Sequence, residues 1–106
     1  MKILPEPVEF EWDRANRDKN LIKHNVTNKE AEEVFQGENV FIFKDETHSQ
    51  LEERFGLFGE TKKGSLLSVT FTIRRNKIRI ITARDMSKRE RREYEKIKKA
   101  QDDSKI

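Results

Sequence analysis

Val8, Phe10 and Trp12 alternate with Glu9 and Glu11, the period of two expected of a half-buried strand. Asp13 follows as a helix N-cap, its carboxylate placed to accept the free amides of a first turn. That helix would carry Ala15, Leu21 and Ile22 and stop within "KHNV" (23–26), where Asn25 tolerates the left-handed conformation that ends helices. Thr27 with Glu30 three positions on forms a capping box. Ala31, Val34 and Phe35 then give a helical apolar stripe ending at Gly37. "VFIF" (40–43) predicts a short apolar strand and "KDETHSQLE" a polar loop. Three further strands are predicted at 53–59, 65–74 and 78–84, separated by "ETKKG" and "RNK" turns. Ser87 and Glu90 make a second capping box, opening a terminal helix through about Ala100.

The resulting order is β-α-α-β-β-β-β-α, which predicts an α+β fold: a small, mostly antiparallel sheet, two N-terminal helices on one face, and a C-terminal helix. Residues 1–7, with two prolines and no clear period, read as a loose extension; 8–100 form the single domain, and 101–106 fray. Such a sheet can leave its other face to solvent. Alternation identifies what that face displays. Leu67, Val69, Phe71 and Ile73 form the covered set of the clearest strand, leaving Leu66, Ser68, Thr70, Thr72 and Arg74 on the open side. Phe55 and Leu57 place Arg54 and Gly56 outward, and Ile78 and Ile80 place Arg79 outward. Arg84 lies at the strand exit, where alternation does not fix its direction. Three strands thus send Arg54, Arg74 and Arg79 to one face. These are ordinary solvated arginines on an exposed sheet or a basic floor for phosphates, for which the planar guanidinium is suited.

Composition narrows the reading. At 106 residues the chain holds one core, and with 41% of residues charged that core must be small. Seven Phe and one Trp in periodic places argue against disorder. No run reaches the roughly 18 apolar residues of a membrane span, and no apolar signal region opens the chain, so a cytoplasmic protein without membrane contact is expected. Absence of cysteine excludes disulfides and zinc–thiolate sites. The net charge of +3 is mild. Its distribution is not: acidic residues dominate 30–60 and basic ones 74–99, a polarised surface compatible with a phosphate backbone or an acidic protein partner.

"FEWD", the following "N..KH.V", "A..VF", "ERF" and "RIITARDMSKRERREYE" occur in order between about Val8 and Glu95. In these motifs the sequence resembles the BrnT family, toxins of type II toxin–antitoxin systems. The resemblance implies a RelE-like fold, a metal-independent endoribonuclease activity that inhibits translation, and RNA as substrate. It also implies an antitoxin partner like BrnA, which joins a toxin-binding region to a ribbon-helix-helix DNA-binding region, so that DNA is contacted only through the antitoxin. Where the family often has Gly after the first histidine, this chain has Asn25.

RNA can be cut without a metal because its own 2′-hydroxyl can attack the adjacent phosphate. The protein then accepts that proton, stabilises the phosphorane and protonates the leaving oxygen. Arg54, Arg79 and Arg84 are the expected catalytic arginines, with Arg74 as a supporting phosphate contact. His24 is a candidate base, or a histidine that simply faces the carbonyls of a helix C-terminus. Lys23 is a candidate phosphate contact. Tyr94 either stacks on a base or packs against the sheet. Glu53 is expected to point to the other face and His48 to decorate a loop, while Phe10 and Trp12 read as core aromatics. The terminal helix has few apolar residues (Met86, Tyr94, Ile97), so loose attachment and rearrangement on antitoxin binding are expected. No metal-ligand spacing and no phosphate-cradling glycine loop is visible, and no cofactor is expected. The rival reading is a non-catalytic module whose basic face docks an acidic antitoxin segment, the complex acting as a DNA-binding autoregulator.

Overall fold

Among the described residues, four strands form one antiparallel sheet in sequential order, each paired with the next. The structure, a computed structural model, describes residues 4–46 and 52–103. Its elements are α1 (Lys19–His24), α2 (Asn28–Glu33), β1 (Phe41–Lys44), β2 (Arg54–Glu60), β3 (Leu66–Arg74), β4 (Lys77–Asp85) and α3 (Lys88–Asp103). The α+β class and the order of these seven elements agree with the sequence pattern. No helix among the described residues is long and apolar enough to cross a membrane.

The expected N-terminal strand at Val8–Trp12 is reduced to a single parallel bridge between Phe10 and Ile78. Ile78 N–H donates to the Glu9 carbonyl and Glu11 N–H to the Ile78 carbonyl, both at 2.8 Å. The segment then turns away because Asp13 starts a turn: its Oδ1 accepts from Ala15 N–H at 2.8 Å. Asp13 is therefore not the cap of a long helix. The helix begins only at Lys19, and Leu21 and Ile22, expected on its apolar side, are 42% and 84% exposed.

Asparagines occupy the inward side instead. Asn16 Nδ2 donates to the Glu11 and Ile80 carbonyls, and Asn20 Oδ1 accepts from Ala83 N–H at 3.0 Å. Buried main-chain groups must find partners, and β4, the last strand of the sheet, offers its outer groups to these side chains. Asn16, in the turn before α1, and Asn20, in its first turn, both reach this strand, and both are buried. Asn25 ends α1 in the left-handed conformation, as expected.

The main core lies between α2 and one face of the sheet. Thr27 and Glu30 form both halves of the capping box, orienting Ala31, Val34 and Phe35 onto Phe55, Leu57, Leu67, Val69, Phe71, Ile78 and Ile80. Phe10 and Phe71 both meet Phe35 edge to face, at 5.2 and 5.1 Å. Trp12 packs against this core and donates its indole N–H to Glu32 Oε2 at 2.6 Å. Leu4, in the expected loose extension, packs there too, and Pro5 is buried. The α2–β2 contact is close enough that a Cβ on Gly59 would stand 2.8 Å from the Val34 carbonyl oxygen, so only glycine fits.

A second, smaller cluster occupies the opposite face. Phe58, Met86 and Tyr94 are buried there, with Phe41 and Leu66 against them. Thus α3 crosses one end of the face expected to be open. Ser87 Oγ accepts from Glu90 N–H and Glu90 Oε1 accepts from Ser87 N–H, so the second capping box is complete. The helix continues past Ala100 to Asp103.

Candidate functional site

Cross-strand register fixes which side chains share the second face. Arg54 stands opposite Thr72, and Thr72 opposite Arg79. Gly56, Thr70 and Thr82 form the next row; Phe58, Ser68 and Arg84 the one after. The register shifts between Thr70 and Phe71, which leaves Ile81 as an extra residue on β4. That bulge resets the alternation of β4, so that Ala83 is buried on the core side and Arg84 emerges beside Ser68. A strict count of two from Arg79 would have sent Arg84 to the core side.

Arg54, Arg74, Arg79 and Arg84 therefore occupy the same face, but in different surroundings. Arg54 and Arg84 line a groove of about 370 Å³ together with Ser68, Thr70, Thr82 and Glu90. Glu90 reaches into this groove from the first turn of α3. Arg84 donates to both its oxygens, Nη1 to Oε1 at 2.6 Å and Nη2 to Oε2 at 3.0 Å, and the Ser68 hydroxyl donates to Oε2 at 3.1 Å. The fork-on-fork contact fixes the guanidinium plane. Burial works to raise the Glu90 carboxyl, yet the hydrogen bonds from Arg84, Ser87 N–H and Ser68 hold it down at about 2. The Arg84 guanidinium is correspondingly raised, first by its hydrogen bond to Glu90.

This pair should appear in acid titrations. A carboxyl depressed from 4.5 to about 2 adds stability that is fully present above pH 4.5 and is lost as the pH falls toward 2. Arg84 is 43% exposed, so water screens part of the attraction. Glu90→Gln is expected to lower the unfolding free energy by about 1–2 kcal/mol at pH 7. The deficit should shrink below pH 4.5. Urea melts at pH 7 and pH 3 measure it; a deficit equal at both pH values would contradict the assignment.

Further along the face the arginines serve other contacts. Arg79 Nη1 donates to Glu11 Oε1 at 3.0 Å and to Asp13 Oδ2 at 2.8 Å, and Nη2 reaches Asp13 Oδ1. Its side chain is only 12% exposed. The Arg79 hydrogen bond holds the Asp13 carboxyl below its usual range, and Asp13 in turn raises the guanidinium. Arg74 pairs with Glu52 at 3.3 Å and stands 3.8 Å from Glu11. The cationic face thus carries its own carboxylates.

The remaining candidates lie elsewhere. Lys23 and His24 close the short α1, and neither lines the groove. Tyr94 is fully buried, its hydroxyl donating to the Asn39 carbonyl at 3.1 Å, so of the two expectations it takes the packing role and presents no ring to a base. Glu53 pairs with Lys44 at 3.3 Å. His48 lies outside the described residues. Phe43, Asp45, Ile81, Thr82 and Glu90 of the groove were not singled out as site residues from sequence. Glu90 was read as a cap alone, and Phe43 as part of an apolar strand. For Phe43 the signal was present, since alternation sets it opposite Ile42, which packs on the main core.

A family model described as the ribonuclease toxin, BrnT, of type II toxin–antitoxin systems matches residues 12–90. The matched stretch contains all four strands, every arginine of this face and, as its last residue, Glu90. No curated protein matches the chain.

Proposed function

Because the chain belongs to the BrnT family of ribonuclease toxins of type II toxin–antitoxin systems, we propose that it is a metal-independent endoribonuclease. In this reading it blocks translation by cutting RNA and is held inactive by a BrnA-like ribbon-helix-helix antitoxin. The observation that carries the chemistry is the convergence of Arg54 and Arg84 on one groove floored by the hydroxyls of Ser68, Thr70 and Thr82. Two guanidinium groups suit a phosphate whose negative charge grows as the 2′-hydroxyl attacks, and the carboxylates of Asp45 and Glu90 line the same groove. In this reading the arginines supply the positive charge that the developing phosphorane needs.

Arg84 is oriented before substrate arrives, because Glu90, itself held by the Ser68 hydroxyl, takes both of its terminal nitrogens. Arg74 and Arg79, outside the groove, act as flanking phosphate contacts. Lys23 and His24, at the end of α1, do not line the groove and have no part in this reading.

The test is incubation of purified protein with total RNA in excess EDTA. Cleavage is expected to persist in the chelator and to disappear in Arg54→Ala/Arg84→Ala. Absence of cleavage from a folded protein that binds its antitoxin tightly would instead make this face a docking site for an acidic antitoxin segment.

A further inference from the structure

The groove contains one aromatic ring that neither hydrophobic cluster buries. Phe43 is 43% exposed, lines the groove beside Arg54 and Arg84, and lies directly across from Gly56. Its ring rests over that glycine, so that a Cβ at position 56 would overlap it. The edge of the Phe58 ring supports it at a centroid distance of 5.1 Å and an interplanar angle of 64°. The ring is thus held from below and from one side while much of its surface faces water. An exposed aromatic on a strand of few residues costs hydrophobic stabilisation, and here it shares a groove with two arginines, Arg54 and Arg84, and two carboxylates, Asp45 and Glu90.

We propose that this groove takes a single unpaired nucleotide, its base stacked on Phe43 and its phosphate between Arg54 and Arg84. The inference rests on the ribonuclease reading above and specifies the substrate form: RNA with an unstacked, accessible base. Stacking on an aromatic face is sequence-tolerant because every base has a π surface, while a base within a duplex presents none. The volume of about 370 Å³ lies at the small end of ligand sites, the size for one nucleotide rather than a helix. Tyr94, Trp12 and Phe10 are committed to packing, which leaves Phe43 to face the phosphate-binding residues.

The experiment uses the full chain with a short 2′-deoxy oligonucleotide, which lacks the attacking hydroxyl and so reports binding without cleavage. It is offered as a single strand, annealed to its complement, and with abasic sites. Wild-type protein is expected to prefer the single strand. Phe43→Leu, which still covers Gly56, should weaken that binding on the order of tenfold or more, and Phe43→Trp should retain it. Gly56→Ala keeps the ring but displaces it, and should mimic Phe43→Leu. The duplex and the abasic strand should bind weakly and respond little to either change. Unchanged single-strand binding in folded Phe43→Leu and Gly56→Ala overturns the proposal, as does equal wild-type affinity for duplex and single strand. If RNA cleavage continues while those results appear, the platform alone fails. If single-strand binding depends on Phe43 but RNA is never cut, the ribonuclease reading fails and the platform stands.

Discussion

Arg84→Ala is expected to lower kcat for RNA cleavage by about 100- to 1,000-fold, the effect of removing one well-placed donor from an oxyanion site. The reason is pre-organisation. Arg84 emerges on the groove side because of the Ile81 bulge, and Glu90 holds both of its terminal nitrogens. No reorientation is then needed when charge develops on the phosphate. An interaction of this kind is made in the transition state more than with bound substrate, so kcat and kcat/KM should fall together. Arg84→Lys should recover only part of the rate, since an ammonium keeps the charge but lacks the planar fork. The alanine variant leaves Glu90, 21% exposed, without its cation. Arg84→Ala/Glu90→Gln separates that loss of stability from the loss of rate. Single-turnover cleavage within a few-fold of wild type in folded Arg84→Ala would remove Arg84 from the chemistry.

Tyr94→Ala is expected to destabilise the protein by about 3–5 kcal/mol, the range for deleting a buried aromatic side chain. Tyr94 is fully buried, with Phe41 at 5.4 Å between ring centroids, and its hydroxyl ties α3 to Asn39 in the connection before β1. Tyr94→Phe removes that hydrogen bond alone and should cost about 1 kcal/mol. Urea denaturation of both variants measures the two contributions. A deficit under about 1 kcal/mol for Tyr94→Ala would show that α3 is held by its first turn only, as its sparse apolar content suggested. The sequence-based expectation of a loosely attached helix counted residues, whereas the structure places one large ring where it contacts the opposite face.

Legibility in the sequence followed the strength of the local signal. Both capping boxes, the left-handed Asn25 and the facing of β2 and β3 were readable, because each rests on short-range geometry. The N-terminal strand was overread: Val8, Phe10 and Trp12 do alternate, but one bridge to Ile78 suffices before Asp13 turns the chain. The first helix was misread because its inward residues are Asn16 and Asn20, chosen for the main-chain groups of β4 rather than for apolar contact. No hydrophobic period reveals that. The arginine face was legible as a set, but not its division. Glu11 and Asp13 are distant in sequence from Arg79, and the bulge that turns Arg84 outward arises from pairing with β3.

The arrangement along β4 has a consequence for assembly. Glu9, Glu11, Asn16 and Asn20 occupy the hydrogen-bonding positions that another strand would need there, so the sheet cannot be extended from that side. Its opposite boundary is β1, four residues long. Growth by strand addition, whether by a partner segment or a second copy, is therefore one-sided and short. A sheet that propagates in neither direction at length is poorly suited to open polymers, which favours discrete complexes over aggregates for this highly charged chain.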